Sequence, residues 1–320
     1  MKQSPLRCAV IGVGYLGRFH AQKYKALPNV CLVGVCDSSE ERSQEVGREL
    51  GVPSFADYRA LARQVDAVTV ASTTTSHFEI AKFFLENGVH VQVEKPMTMN
   101  SQEGEELCRL AERHGLKLQV GHIERFNPAF IAVRERLKNP LFMECHRLAP
   151  FKPRGFDVSV VLDLMIHDLD VVLSLVNSEP VAVSAIGTPV LTREIDIANA
   201  RVEFKCGAVA NITASRVSQK SERKFRVFQA NQYLSMDFGG GEVSLLTKTG
   251  DWSGENVPLE QQSWNLEKGD ALLAETTAFV DCIQSGTAPI VSGHDGLVAL
   301  RLAEQIDREI RQRRERVVAR

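Results

Sequence analysis

The sequence has no C-x-x-C pair, although it holds seven cysteines. An odd, dispersed set of thiols in a chain of 320 residues argues against a disulfide framework and for reduced thiols in a cytoplasmic setting. No uncharged apolar run approaches the roughly 18 residues that a membrane span needs, so no membrane partner is expected. The early run "CAVIGVGYLG" carries three glycines and no small-residue cleavage pattern, so no secretory signal is expected. Basic blocks are missing until the C-terminal "REIRQRRERVVAR", where Glu is interleaved with Arg as on a solvated helix face. With a formal net charge of −2, nothing favours nucleic acid. The histidines show no H-x-x-x-H or Cys/His spacing of the zinc kind, and no metal is expected. Internal repeats and low-complexity segments are also absent.

What is present is the composition of an ordinary globular protein, 44% hydrophobic and 24% charged, long enough for two domains. The first third alternates apolar runs with amphipathic ones. "RCAVIGVG", "VCLVGVCD", "AVTVAS", "HVQVEK" and "LKLQVGHI" read as strands, separated by helical stretches such as "HFEIAKFFLENG" and "SQEGEELCRLAERHG". Strand–helix alternation with short connections predicts a doubly wound parallel sheet. After residue 122 the pattern changes. A helix is expected in "NPAFIAVRERL", a strand in "LFMECHRLA" and a helix in "VLDLMIHDLDVVLSLV". Strand-like runs follow, with "KFRVFQANQYLSMDF" read as one of them, and two closing helices near 271–285 and 292–315. The expected fold is α/β: a Rossmann domain over 1–122, then an α+β domain over 123–320 with a large, mostly antiparallel open sheet.

"GVGYLG" sets Gly12, Gly14 and Gly17 in a G-x-G-x-x-G pattern directly after a strand and at the start of a helix. In that context the glycines permit a tight turn and let the backbone approach a pyrophosphate at a helix N-terminus. Tyr15 and Leu16, inside the motif, count among the cofactor contacts. Asp37 ends the second strand twenty residues after Gly17. A carboxylate there accepts ribose hydroxyls and repels a 2′-phosphate, which favours NAD over NADP. Arg42 lies close enough in sequence to tolerate a phosphate.

The helix at 161–176 is apolar nearly all round, yet Asp163, His167, Asp168 and Asp170 interrupt it. Asp163, His167 and Asp170 share a face at helical spacing. Such a stripe is either paired internally or lines a polar cavity. Asp168 falls off the stripe and reads as structural. "VEKPMT" places Glu94 and Lys95 at the carboxyl end of the fourth strand, where open α/β sheets bind ligands, and Pro96 holds Lys95 extended.

Taken together, "GVGYLG", "STTTSHFEIAKFFLENGVHVQVEKP" and Asp163-x-x-x-His167 resemble the Gfo/Idh/MocA (glucose–fructose oxidoreductase/inositol dehydrogenase) family. The likeness covers essentially the whole chain. It implies that Lys95, Asp163 and His167 meet beside a nicotinamide at the seam between domains, that Glu94 contacts the cofactor, and that Thr73 and His77 lie against it. It also implies a cis Lys95–Pro96 bond. Two positions depart from the family pattern. Thr74 stands where proline is common, and Val160 and Val161 fill places often held by glycine, which would reshape the substrate pocket.

The implied chemistry is hydride transfer between a secondary alcohol carbon and the nicotinamide. His167 suits the role of base, with an unperturbed pKa of about 6.5. Lys95 can stabilise alkoxide charge, or take the proton itself if burial depresses its pKa. Asp163 can orient the imidazole or position a hydroxyl. "GHIERFNPAF" and "CHRLAPFKPRGFD" resemble the UDP-N-acetylglucosamine 3-dehydrogenase branch of the family. On that reading Arg147, Lys152 and Arg154 are candidate diphosphate partners, and Arg125 and Asn127 reach the sugar. The rivals are a free-sugar or inositol dehydrogenase and a non-catalytic nicotinamide-binding sensor. Retention of Lys95, Asp163 and His167 together weighs against the sensor. An open sheet face in the second domain predicts a homodimer or homotetramer.

Overall fold

The computed structural model describes residues 4–152, 158–252, 254 and 257–318. The chain divides into two compact units, Met1–Ile123 with Asp270–Val298, and Glu124–Gly269 with Ala299–Arg320.

In the first unit, β1 (Leu6–Ile11) leads to α1 (Tyr15–Ala26), β2 (Val30–Cys36), α2 (Glu40–Leu50), the short β3 (Ser54–Phe55) and β4 (Ala67–Val70). α3 (Thr74–Glu86), β5 (His90–Glu94), α4 (Ser101–His114) and β6 (Leu118–Gly121) follow. The sheet order is β3-β2-β1-β4-β5-β6, and every pairing is parallel. β4 is fully buried along its length, as a parallel strand covered on both faces must be. Its neighbours align at their carboxyl ends: Ile11 pairs with both Cys36 and Val70. Gly12, Asp37 and Ala71, the next residues along, therefore lie on one sheet edge. The order reverses between β1 and β4, and such a switch point opens a crevice for ligands. Ser39 caps α2 and Asn100 caps α4 through main-chain N–H groups, and left-handed Gly51 and Gly115 end them, as the chain's punctuation dictates.

The second unit begins with a short 3₁₀ turn and α5 (Pro128–Ile131), then β7 (Phe142–Leu148). A π-helical turn over Val161–Met165 runs into α6 (Ile166–Val176). Seven strands follow: β8 (Pro180–Thr188), β9 (Ile197–Phe204), β10 (Val209–Ser215), β11 (Glu222–Gln229), β12 (Gln232–Asp237), β13 (Glu242–Lys248) and β14 (Leu259–Asn265). The eight-stranded order is β14-β13-β12-β11-β7-β10-β9-β8. Only β7 and β10 pair in parallel; the rest are antiparallel. One sheet face joins α6 in a buried core that includes Met143, Cys145, Val202, Phe225, Ile166 and Leu169. The opposite face is of mixed polarity: Glu144 pairs with Arg226 at 2.6 Å, and Phe142, Phe228 and Tyr233 stack beside them.

α7 (Ala271–Ser285) and α8 (Gly293–Val318) close the chain. α7 belongs to the first unit, where Phe279, Val280 and Cys282 pack with Val10, Ala21 and Tyr24. This differs from the expected partition at residue 122. A return of the chain to an earlier unit leaves no mark in local periodicity. Two other readings change. The helix expected over 127–137 stops after four residues, followed by a 3₁₀ turn at Arg134–Arg136. The run at 224–238 is a hairpin, turned at Asn231 with φ 62°, a conformation that Asn tolerates better than most residues. Val160 and Val161 are fully buried in the core of the second unit.

Candidate active site

In the first unit, the candidate nucleotide site is the turn between β1 and α1. Gly12 has φ +83°, and a Cβ there would lie 2.5 Å from the backbone of Ser72. A Cβ on Gly17 would meet the Gly12 carbonyl oxygen at 1.8 Å. Both glycines are thus required by close backbone approach. Gly14 is different: nothing lies within 4 Å of its would-be Cβ, so its bare backbone faces open space. No side chain caps α1 at Gly14, which leaves the first-turn N–H groups as an anion cradle. Tyr15 and Leu16 project from that turn, 70% and 45% exposed. A cavity of about 470 Å³ is lined by Val13, Gly14, Tyr15, Arg18, Arg42 and Val46.

Asp37 stands at the end of β2, 6% exposed. Its Oδ2 accepts the Val13 N–H at 2.9 Å and its Oδ1 accepts the Ser39 N–H at 2.9 Å. Arg42 Nη1 approaches both oxygens at 3.3 and 3.4 Å. Arg42 makes the two longest of these four contacts, and its withdrawal would give each oxygen a lone pair for a ribose hydroxyl. The turn, the open Gly14 and this carboxylate fit a dinucleotide.

Glu94 closes β5, nearly buried. Its Oε1 lies 2.8 Å from His20 Nε2, and its Oε2 accepts the Lys95 N–H at 3.2 Å. Burial raises the Glu94 carboxyl, but the bond and charge of His20 outweigh it and hold the group below its ordinary value. Glu275 of α7 completes a cluster whose ligand-type atoms all lie within 4.8 Å of one another. The Lys95–Pro96 peptide is cis, and the Lys95 residue is half-buried. His77, expected against the cofactor, is buried, and its ring is tied to main chain. Its Nδ1 is 3.0 Å from the Pro96 carbonyl oxygen and its Nε2 is 3.1 Å from that of Ser72. Burial lowers its pKa, and a neutral ring donates to only one of these acceptors at a time. Thr73 is exposed at the start of α3.

In the second unit, the expected catalytic residues lie on the helical run over residues 161–176. Counting fours along an α-helix stacks Asp163 over His167, but the turn over Val161–Met165 is π-helical. The wider turn alters the angle between the two groups, and π turns of this kind recur at functional sites. Asp163 and His167 are half-buried, whereas Asp168 and Asp170 are both 2% exposed. For Asp170 the structure takes the paired alternative. Arg125 Nη1 pairs with it at 3.4 Å.

The expected substrate cations divide. Arg147 is 4% exposed. It holds Asp168 with a fork, Nε to Oδ2 at 2.8 Å and Nη2 to Oδ1 at 2.9 Å, and donates from Nη1 to Glu124 Oε1 at 2.9 Å. These two carboxylates raise its pKa further despite burial. A guanidinium so enclosed is not presented to a phosphate, which corrects the sequence reading. Asn127 is likewise occupied: its Oδ1 caps α5 through Ala129 N–H, and its Nδ2 donates to Glu124 Oε2 and the Phe238 carbonyl. Lys152 is exposed; Arg154 lies outside the described residues. Sequence reasoning missed His20, Glu124 and Glu275. His20 follows the last motif glycine by three residues and Glu124 precedes Arg125, but nothing local reveals their partners.

The family description "Oxidoreductase family, NAD-binding Rossmann fold" matches residues 6–122, and the GFO/IDH/MocA C-terminal domain matches residues 145–234. The UDP-N-acetylglucosamine 3-dehydrogenase of Acidithiobacillus ferrooxidans is 39% identical over 94% of this chain and 96% of its own. A solved structure of that enzyme matches with a TM-score of 0.91 over 96% of this chain and 98% of its own. The scyllo-inositol 2-dehydrogenase (NAD(+)) of Bacillus subtilis is 27% identical over 92% of this chain and 91% of its own. With its glycine turn, its Glu94-Lys95-Pro96 strand end and both halves matched, the chain belongs to the Gfo/Idh/MocA family of oxidoreductases, dehydrogenases acting on CH–OH groups.

Proposed function

We propose that this enzyme oxidises the C3 hydroxyl of a UDP-N-acetyl-sugar, UDP-N-acetylglucosamine above all, with NAD+ rather than NADP+. The observation that carries this reading is the 39% identity to a UDP-N-acetylglucosamine 3-dehydrogenase across nearly the whole of both chains. The preference for NAD rests on Asp37, whose carboxylate repels a 2′-phosphate.

Bound NAD+ supplies the hydride acceptor. The chain supplies the rest. The N-terminal turn of α1 and the bare backbone at Gly14 hold the pyrophosphate. His167 takes the hydroxyl proton as the hydride leaves C3, and Lys95 donates a hydrogen bond to the same oxygen and stabilises its developing charge. Asp163 orients the imidazole. Lys152 and Arg154 remain as diphosphate partners, and Arg125 as a sugar contact. The product is a 3-keto sugar nucleotide. We assign an oligomer contact to the mixed outer face of the eight-stranded sheet, where aromatic and charged rows lie side by side.

The test is NADH formation with UDP-N-acetylglucosamine beside free N-acetylglucosamine and inositols. Turnover confined to the nucleotide sugar supports the reading. Turnover confined to polyols would favour an inositol dehydrogenase, the reading that the Bacillus subtilis relative suggests. Tight NADH binding without turnover would favour a sensor.

A further inference from the structure

The phrases "GHIERFNPAF" and "CHRLAPFKPRGFD" pointed to substrate, but their buried charged groups turn inward. Arg147 on β7 grips Asp168 with both prongs of its fork and reaches Glu124 with its remaining nitrogen. Glu124 in turn holds Asn127, which is anchored to the Phe238 carbonyl and to the first turn of α5. Side-chain exposure is 5% at Arg147, 5% at Glu124 and 3% at Asp168. Two residues further along α6, Arg125 pairs with Asp170 at 3.4 Å. Two guanidinium groups therefore grip α6 by the carboxylates at 168 and 170, while Asp163 and His167 on the same helical run stay half-buried.

Geometry explains what such a grip does. A forked pair fixes the acceptor in angle as well as distance, which a single ammonium does not. Asp168 directly follows His167, so the rotation of α6 about its axis, and with it the aim of the imidazole, is set where the fork closes. The helical run that carries His167 opens with a π turn rather than a regular α turn. We infer that Arg147 is a positioning residue, which, braced by Glu124, sets the orientation of His167 through Asp168. The inference deepens the proposed function and rests on its assignment of His167 as the base.

The test uses the full chain and two conservative variants, because Arg147→Ala would strand two buried carboxylates and damage the fold. Asp168→Asn keeps the shape and leaves Arg147 on Glu124. Arg147→Lys keeps the charge and loses the fork. With UDP-N-acetylglucosamine and NAD+, Asp168→Asn is expected to lower kcat about 10- to 100-fold, the scale of a misplacement of roughly 1 Å. KM for NAD+ should stay within about twofold, and the isotope effect from deuterium at C3 should grow as hydride transfer becomes limiting. In parallel, carbethoxylation of His167 by diethyl pyrocarbonate is followed by mass spectrometry without substrate. Arg147→Lys is expected to change that rate at least about threefold. Wild-type kcat in Asp168→Asn, or a loss that only tracks the folded fraction, would overturn the inference, as would an unchanged His167 labelling rate in Arg147→Lys. If the wild type fails to turn over the nucleotide sugar, the functional reading falls, and the labelling arm still decides the positioning role.

Discussion

His20 Nε2 and Glu94 Oε1 meet at 2.8 Å inside the first unit, with the imidazole wholly buried. The bond ties the helix that opens at the glycine turn to the strand end that carries Lys95. His20→Leu would leave the Glu94 carboxylate facing Glu275 without its imidazole partner. Breaking a buried pair on one side costs about 3 kcal/mol, and urea denaturation should show a loss of that size. Adding Glu94→Gln should recover much of it, because the double variant buries no orphan charge. A single-variant loss below about 0.5 kcal/mol would show that the pair is not a stabilising one.

Gly12 and Gly14 should fail in opposite ways when changed to Ala. At Gly12 the added Cβ meets Ser72 backbone at 2.5 Å with φ +83°, so the fold itself should suffer and the melting temperature should drop. At Gly14 the Cβ meets nothing within 4 Å and φ is −65°. That variant should melt with the wild type yet bind NADH at least about tenfold more weakly, since the methyl group occupies the path of the pyrophosphate. Fluorescence titration with NADH separates the two cases.

Asp37→Ser should shift cofactor preference. The carboxylate that repels a 2′-phosphate goes, and Arg42, now 3.3 Å from it, is released to meet one. The ratio of kcat/KM for NAD+ over NADP+ should fall at least about tenfold. An unchanged ratio would place the discrimination elsewhere.

Asp196 gives the acid dependence of stability. Burial works against its ionisation, but the N–H groups of Thr192, Val190 and Leu191, with the Thr192 hydroxyl, pull its pKa down from 3.8 to about 2. Because the folded value is the lower one, its contribution is whole above about pH 4, shrinks as pH falls and is gone below about pH 2. The shift corresponds to about 2 kcal/mol at neutral pH. Asp196→Asn should lose roughly that much at pH 7, and the gap between the variant and the wild type should narrow in acid. A gap that stays constant down to pH 3 would contradict the assignment.

Much of the first unit was legible because its signals are local. Gly12, Gly14 and Gly17 announce a tight turn within six residues, and Ser39, Asn100, Gly51 and Gly115 mark helix ends where they stand. The hairpin at Asn231 was not legible, because "ANQ" does not carry the Asn-Gly signal of a two-residue turn. The edge strand Leu259–Asn265 was missed because it is polar, exposed at five of seven positions, and gives no apolar alternation to read.

The sequence by itself determined the doubly wound sheet, the change of architecture after residue 122 and the nucleotide turn, because each follows from backbone limits and periodicities that act over a few residues. Only the tertiary structure decided which charges face inward. Arg147, Asp170 and His77 look as available as Lys152 or Asp163 when read along the chain. Their burial and their partners depend on residues far away in sequence, such as Glu124 for Arg147 and Pro96 for His77. Whether a polar group is paired inside or left for a ligand is settled by what the fold packs against it.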